Sequence, residues 1–418
     1  MTLDMNSMDS LIKFHYAPGE VENIGYADAP GFALVGKKKG KLVGGKKWIQ
    51  PVGTRLVNAG SSTFSTANAA AANESKSDAF EVPRAKHYRV AKIDNETIEA
   101  TATGDVDAFE PALDEIEKCM KAEMNWANFR FYRNFGGAMF RMTNSGFATT
   151  IMTVDDPAGL HGVSQGDVLK LSADDGRSGA LRAGSLTVAS VQHPVPGGTG
   201  SVTLTGNIVA GVAAAAQNDY VFLDGDFGLA PAGLDDYVPD TDALAATTLF
   251  SFDRSVDSRL GGARIEGANQ SLHDVITDAV TAHQTHAGMD ARGQKTLFMH
   301  PFNLGTLSKQ LDAKWVVTQS ASFTGNKEAS IGIDVLRVDF MGTKLDIVPD
   351  KMCPVRRSYL VDLRYWTFFH AGMFPAFLTR RNNILKVSEN TDGWECRTGG
   401  YGNYSTKAPH TSVVIKHQ

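Results

Sequence analysis

Residues 105–137 read DVDAFEPALDEIEKCMKAEMNWANFRFYRNFGG, and this stretch has the clearest periodicity in the chain. Its apolar side chains recur at steps of three or four residues, which is the pattern of one face of an α-helix. They are Phe109, Leu113, Ile116, Met120, Met124, Ala127, Phe131 and Phe135. Asp107 is suited to cap this helix, and Gly136-Gly137 to end it. At about 1.5 Å per residue, the predicted helix is roughly 40 Å long.

The segment before the helix predicts an extended hairpin. Residues 36–47, GKKKGKLVGGKK, contain six lysines separated by glycines, and they follow an aperiodic arm over 1–35. Strand-like residues at 46–57 and 80–90 flank a small, polar stretch at 60–78, which we expect to be a mobile tip. Because these strands alternate poorly, neither face is expected to cover a deep core of its own. We therefore expect the hairpin to pack against another surface.

The segments after the helix are rich in strands. Short β runs separated by Gly, Asp and Pro predict a small barrel or sandwich over 141–226, followed by a Pro/Asp-rich loop over 227–243. A second helix is predicted over 271–286, where Ser271 and Asp274 have capping-box spacing, with Asp in place of Glu. Further strands include a hairpin at 333–349. Helices and strands follow no βαβ rhythm, so the predicted class is α+β.

The composition limits the possible functions. The chain has 418 residues, 42% of them hydrophobic, and a formal net charge of −5, which argues against wholesale disorder and against a dedicated nucleic-acid binder. Cys119, Cys353 and Cys396 have no metal-binding or paired spacing and are expected to be free thiols in a reducing compartment. We find no signal peptide and no apolar run of about 18 residues. We therefore expect a cytosolic protein.

A serine motif at 162–166, GVSQG, matches the nucleophile elbow G-x-S-x-G. The elbow requires a strand before the serine and a helix after it, because that turn exposes the hydroxyl group. Here a polar stretch precedes Ser164 and a strand-like run follows it. We therefore expect Ser164 to lie in a turn and not to act as a nucleophile.

Candidate metal ligands are equally weak. His283 and His286 are three residues apart on one predicted helix and His300 follows, but a third ligand at a recognised spacing is missing. His283 lies on the apolar stripe, which favours a core histidine. The other ligand positions of a calcium-binding loop are missing around Asp224 and Asp226, so we expect these residues to lie in a turn. No Walker A, GxGxxG or CxxC sequence occurs, so we expect no cofactor and favour a structural protein over an enzyme.

The order of these parts resembles the major capsid proteins of tailed bacteriophages, which have the Hong Kong 97 fold. Local phrases agree with that resemblance: FSFDRSVDSRLGGARI (250–265), LFMHPFNLGTLSKQL (297–311), the late hairpin within 333–366 and the ending at 391–415. The resemblance covers nearly the whole chain. It implies an N-terminal arm (1–35), an extended hairpin loop (36–100), the spine helix of a peripheral domain (101–140), an inserted β-rich domain (141–226), an axial domain with its preceding loop (227–345) and returning peripheral strands (346–418).

The resemblance implies a subunit that self-assembles, as hexamers and pentamers, into an icosahedral shell around double-stranded DNA in the host bacterial cytoplasm. No helical scaffold segment precedes the arm, so either a separate scaffolding protein is expected or the chain is already processed. A portal, decoration proteins and nonspecific contact with DNA are also expected. No membrane partner is expected. The nearest alternative is an encapsulin-type compartment. From another class, a hydrolase using Ser164 or a metal site at His283 and His286 is the remaining alternative.

In such a shell the lysine-rich run would lie at the root of the hairpin loop. The candidate contacts with neighbouring subunits are Lys37, Lys38, Lys39, Lys41, Lys46 and Lys47, facing carboxylates such as Asp114 and Glu117 on the spine helix. Simple solvation is the alternative, because an exposed ion pair contributes only about 0–1 kcal/mol. Some family members cross-link a loop lysine to an asparagine, but no such pair can be matched here.

Overall fold

The computed structural model describes residues 28–55, 61–70, 76–94, 109–195, 198–268, 270–288, 293–310, 317–324, 330–372, 374–378, 384–387 and 393–417. Within these ranges the α-helices, α1 to α8 in chain order, are Pro30–Leu34, Phe64–Ala70, Phe109–Phe131, Ile208–Gly211, Leu234–Tyr237, Asp242–Ala245, Leu272–Ala287 and Pro301–Gln310. Short 3-10 helices are Pro157–Gly162, Ser258–Gly261, Leu363–Tyr365 and Pro409–Thr411. Among the described helices, none combines the length and apolar character needed to cross a bilayer.

The strands of the described ranges are numbered β1 to β23 in chain order. They are Gly36–Lys39, Lys47–Arg55, Lys76–Pro83, Ala85–Asp94, Phe140–Arg141, Ile151–Thr153, Val168–Ser172, Leu186–Gln192, Ser201–Leu204, Tyr220–Leu223, Thr248–Leu249, Phe252–Asp253, Ala263–Glu266, Gln294–Met299, Val317–Thr324, Ser330–Phe340, Thr343–Pro349, Arg357–Val361, Trp366–His370, Ala376–Phe377, Leu385–Val387, Gly393–Thr406 and Val413–Lys416. The fold is α+β, as predicted.

The long helix α3 has 23 residues, or about 35 Å at the rise of an α-helix. The members of the predicted stripe from Ile116 to Phe131 are buried, so the periodicity is confirmed there. Asp107 lies outside the described residues. The helix ends at Phe131 and not at Gly136-Gly137, and every residue from Trp126 to Arg133 is buried. The last six residues of α3, 126–131, are therefore enclosed on all sides, which a one-sided stripe did not predict.

The first sheet packs against α3. Its order is β1-β19-β22-β20, with β21 and β4 also paired to β22. β1 runs parallel to β19, and the other pairs are antiparallel. The long β22 therefore lies between β19 and β4. The Sγ atom of Cys119 on α3 lies 3.1 Å from Oγ1 of Thr398 on β22, which identifies the face that covers the helix.

The second sheet has the order β13-β23-β18-β14-β17-β16-β15. The predicted hairpin at 333–349 forms as β16 and β17, and it turns through Met341 and Gly342, which both have positive φ. α7 packs its apolar face on this sheet. As predicted, Ser271 caps α7 by accepting a hydrogen bond from the Asp274 amide, 3.2 Å away.

The third sheet is antiparallel, with the order β5-β10-β7-β8-β9-β6. A bridge between Met142 and Val154 joins its two ends, so the six strands close into a small barrel. Its interior is filled by buried side chains that include Leu169, Leu186 and Val202.

The stretch after the barrel, predicted as a loop over 227–243, is a buried connection. Residues 230–239 are all buried and contain α5. Two of its carboxylates, Asp235 and Asp236, form ion pairs with Arg357 and Arg177. These pairs explain how an acidic segment can be buried, because a buried charge needs a partner.

Candidate functional site

The lysine-rich segment over 36–47 lies at one edge of the first sheet, where β1 pairs only with β19 among the described strands. Lys38, Lys39, Lys41 and Lys46 are exposed, and within the described chain they form no ion pair. Four of the six predicted contact lysines are therefore available to a partner of opposite charge.

The other two lysines are engaged within the chain. Lys37 lies over the Phe32 ring, with Nζ 4.7 Å from the ring centroid. Nζ of Lys47 lies 2.7 Å from the Glu81 carboxylate on β3, and this cation lowers the pKa of Glu81. The contact between Lys37 and Phe32 and the ion pair between Lys47 and Glu81 both hold the root of the hairpin to neighbouring elements of the same chain.

The glycines of this segment serve different purposes. A Cβ added at Gly40 would lie 2.5 Å from the Trp48 ring and 3.0 Å from the Phe369 ring, so Gly40 permits close packing. Gly44 and Gly45 have φ of +60° and +70° and nothing within 4 Å of an added Cβ. They form the tight turn into β2, because glycine adopts such angles at little cost. Of the glycines in this segment, only Gly44 and Gly45 therefore lie in a turn that is not packed against other residues.

The base of the hairpin, where β2 pairs with β3, is anchored in the core of its own chain. Trp48 is buried and stacks on Phe369 with ring centroids 5.9 Å apart. Phe80 is buried between Tyr237, at 5.2 Å, and Phe252, at 4.6 Å. The sequence analysis predicted that both strands pack against another surface. For the base of the hairpin, that surface belongs to the same chain.

The tip of the hairpin contains a helix that the sequence analysis did not predict. α2 occupies 64–70 within the stretch expected to be a mobile tip, and residues 56–60 and 71–75 lie outside the described residues. Phe64, the first residue of α2, is 85% exposed.

Glu117 and Asp114 are the predicted acidic partners on α3. The Glu117 carboxylate lies 2.7 Å from Nζ of Lys121, one turn along the same helix, and both side chains are partly exposed. Asp114 lies within α3, but its side chain is outside the described residues. Among the described residues, Glu117 pairs with Lys121 and forms no ion pair with the lysine-rich segment.

A buried polar contact between α3 and β4 was missed by sequence reasoning. Glu123 is fully buried, and its carboxylate lies 2.6 Å from Nδ1 of His87 and 3.4 Å from Nε of Arg89. The His87 ring stacks on Trp126 with centroids 3.8 Å apart. Glu123 lies three residues after Met120, on the predicted apolar face. A charged residue within that face could have indicated a buried polar contact.

A second set of polar contacts joins α3, the barrel and the second sheet. Asp236 accepts hydrogen bonds from the Phe135 amide, at 2.7 Å, and from Nε of Arg177, at 3.1 Å. Burial raises the pKa of Asp236 to about 7. The hydrogen bonds from Phe135 and Arg177 oppose this shift, but burial has the larger effect. Asp235 accepts from Nη1 of Arg357 at 2.6 Å, and this pairing raises the pKa of Arg357. Since the partners belong to different layers, these contacts fix the layers relative to one another.

Ser164 does not have the setting of a nucleophile. It follows the 3-10 helix Pro157–Gly162 and precedes strand β7, which is the reverse of the elbow order. Its amide donates to Oδ2 of Asp167 at 2.7 Å, which is a turn contact.

The candidate metal ligands have no metal-binding arrangement in the described part of the chain. His283 is buried on the core face of α7, and burial lowers its pKa to about 4. Burial likewise lowers the pKa of His300 to about 4. Throughout the described ranges, no three His, Cys, Asp or Glu side chains are grouped so that they could hold a metal ion. Asp226 of the predicted turn instead forms an ion pair with Arg130, at 2.6 Å.

No protein-family model matches the sequence, and no curated protein matches it either. Among solved structures, the capsid asymmetric unit of cyanophage A-1(L) aligns over 96% of this chain and 94% of its own, with 14% identity and a TM-score of 0.50. The chain has a phage capsid fold. At this identity, the capsid fold is the property that the two chains share.

Two further solved structures also align with this chain. The capsid of the native GTA particle aligns over 93% of this chain and 90% of its own, with 10% identity and a TM-score of 0.41. The holo-SrpI encapsulin of Synechococcus elongatus aligns over 38% of this chain and 55% of its own, with 10% identity and a TM-score of 0.23.

Proposed function

We propose that this chain is the major capsid protein of a tailed bacteriophage, which self-assembles into an icosahedral shell around double-stranded DNA. The observation that carries the proposal is the end-to-end likeness to the cyanophage A-1(L) capsid subunit. In this proposal the chain is not an enzyme and needs no cofactor. Its functional residues are those that contact other subunits.

We assign the parts of the chain to the Hong Kong 97 fold as the resemblance implies. The paired strands β2 and β3 belong to the extended hairpin loop, and α3 is the spine helix of the peripheral domain. The barrel formed by β5 to β10 is the inserted β-rich domain. The second sheet contributes to the axial domain over 227–345 and to the returning peripheral strands over 346–418. Residues 1–27 of the proposed N-terminal arm lie outside the described residues.

The proposed subunit contacts are made by the hairpin. Its exposed lysines would face carboxylates of neighbouring subunits, with Asp114 and Glu117 as candidates, while Phe64 would contact an apolar surface. Each exposed ion pair contributes only about 0–1 kcal/mol, but the term recurs at every interface of a shell. Replacement of the four exposed lysines, Lys38, Lys39, Lys41 and Lys46, by serine should weaken shell assembly or stability. Unaltered assembly and stability of that variant would contradict the role of the lysines.

The experiment that tests the shell is a measurement of size. The protein is purified gently and examined by light scattering and negative-stain electron microscopy, alone and with scaffolding partners. Uniform closed particles are expected. A stable monomer under all of these conditions would contradict the proposal.

The contents of such particles would separate the two shell types. In the proposed virion, double-stranded DNA and a portal protein should copurify with the subunit, together with any scaffolding or decoration proteins. An encapsulin-type compartment should instead copurify with an enzyme cargo and without a portal. Mass spectrometry and a nuclease-sensitive nucleic-acid stain distinguish these outcomes.

A further inference from the structure

A charged cleft lies where the end of α3, the barrel and the second sheet meet. Its volume is about 360 Å³. Arg133 comes from the end of α3, Arg141 from the barrel, and Arg356 from the corner between β17 and β18. The other basic residues that line it are Arg177, Arg357, Lys416 and His417. Three layers of the subunit therefore present cations to one space.

The acidic groups that line the cleft are engaged by other donors. Asp235 accepts hydrogen bonds from Arg357 and Tyr359, and Asp175 accepts one from Nδ2 of Asn134 at 2.9 Å.

The remaining acidic groups are engaged in the same way. Asp156 lies 2.6 Å from Nη2 of Arg133, and Asp240 lies 3.4 Å from Nη2 of Arg357. Asp155 accepts from the Arg141 amide at 2.7 Å, and burial raises the pKa of its carboxyl. Asp155 also acts on the charge of Arg141 at a longer range than an ion pair.

Two of the cleft's arginines have no carboxylate within ion-pair distance in the described chain. Nε of Arg141 donates to the Asn218 carbonyl at 3.3 Å, and its guanidinium lies over the Tyr220 ring. The Arg356 side chain is exposed. Deeper in the cleft, Arg133 is only 8% exposed, and its Nε has no hydrogen-bond partner there. A buried donor without a partner costs free energy, so an acceptor in the cleft would stabilise the subunit.

We propose that this cleft binds an oxyanion of the phosphate type, held by Arg141 and Arg356 and approached by Arg133. The planar guanidinium group is suited to this ligand because two of its N–H groups can donate to two oxygens of one phosphate. The bound ion would connect the barrel to the corner between β17 and β18 and so stiffen the barrel's attachment. The phosphate is either the free ion or a group of a nucleic acid, and the proposal holds whether or not the chain forms a shell.

The test is a titration of the purified full-length chain with sodium phosphate, against sodium chloride at matched ionic strength, by calorimetry and thermal melting. We expect saturable binding that raises the melting temperature of the wild type. The R141S/R356S variant should bind phosphate at least about tenfold more weakly, which is about 1.4 kcal/mol. Because neither side chain is fully buried, this variant should keep the wild-type circular dichroism spectrum.

The matched control is R259S/K344S, which removes two exposed cations outside the cleft. It should bind phosphate as the wild type does. An absence of saturable binding to the wild type would overturn the proposal, as would an equal loss in the control or full binding by R141S/R356S. Competition by a short DNA duplex would assign the phosphate to nucleic acid, whereas binding without such competition would assign it to the free ion.

Discussion

Gly233 occupies a position where only a glycine fits. An added Cβ would lie 2.3 Å from the carbonyl oxygen of Arg130 and 2.4 Å from those of Phe131 and Arg133. These oxygens belong to the end of α3, whose backbone is buried and cannot move aside. The contact also explains why α3 ends before Gly136-Gly137, since the buried connection after the barrel crosses the helix terminus at this residue.

Gly233→Ala should therefore destabilise the subunit by about 3 kcal/mol, in the range found for overpacked cores. Chemical denaturation of the purified chain measures this difference. Gly206→Ala is the control, because an added Cβ there meets nothing within 4 Å. Equal stabilities of the two variants would show that the α3 terminus can adjust to the extra atom.

Asp236 gives the subunit a defined pH dependence. Its pKa in the folded chain is raised by burial to about 7 from an ordinary 3.8. The folded state therefore binds more protons than the unfolded state between these values, and the stability that this group contributes is lost as the pH rises through about 7.

Asp236→Asn removes that titration while it keeps one acceptor for Arg177 or the Phe135 amide. The variant should thus gain stability relative to the wild type as the pH is raised from 5 to 8. Unfolding free energies at both pH values provide the measurement. A stability difference that stays constant across this range would contradict the assignment of the titration to Asp236.

At the scale of elements, the attachment of β4 to α3 depends on Glu123. Glu123→Ala would remove the buried hydrogen-bond partner of His87, and we expect a loss of about 1–3 kcal/mol in the free energy of unfolding. Glu117→Ala is a matched control on the same helix, because its exposed pair with Lys121 is worth at most about 0.5 kcal/mol. Equal losses in these two variants would contradict the structural importance of the buried pair.

The hairpin should respond differently at its base and at its tip. Phe80→Ala opens a cavity in the core, and we expect a loss of about 3–5 kcal/mol in subunit stability. Phe64→Ala, at the exposed tip, should leave subunit stability within about 0.5 kcal/mol. Under the proposed function it should nevertheless reduce the yield of closed particles, measured by light scattering. Normal particles from Phe64→Ala would exclude the tip phenylalanine as an assembly contact.

At the scale of the whole molecule, the proposed lysine contacts should make the shell sensitive to salt. The screening length falls from about 10 Å at 0.1 M to about 3 Å at 1 M ionic strength, so exposed ion pairs between subunits weaken. We expect the particles to release subunits more readily as sodium chloride is raised, followed by light scattering. The variant with serine at the four exposed lysines should show a smaller dependence on salt. Equal dependence in both proteins would assign the effect to other residues.

Local patterns in the sequence predicted the elements with strong periodicity. The buried stripe of α3, the Ser271 cap of α7 and the β16–β17 hairpin depend on neighbours within a few residues, and each is confirmed. The burial of residues 230–239 could not be predicted in this way. It depends on Arg177 and Arg357, which are distant in sequence and meet the two aspartates only after folding. The same reason applies to Glu123 and His87, and to the arginines of the cleft.

The position of β22 and β23 has a consequence for synthesis of the chain. β22 lies in the first sheet between β19 and β4, and β23 lies in the second sheet between β13 and β18. Both strands come from residues 393–416, far along the chain from β4 and β13, with which they pair. Neither sheet can therefore be completed before residues 393–416 have been made, and both then close through contacts of large sequence separation, which form slowly. Until that moment the edges of β4 and β18 lack a partner, and a chaperone bound during this interval would determine how much of the newly made chain reaches the folded state.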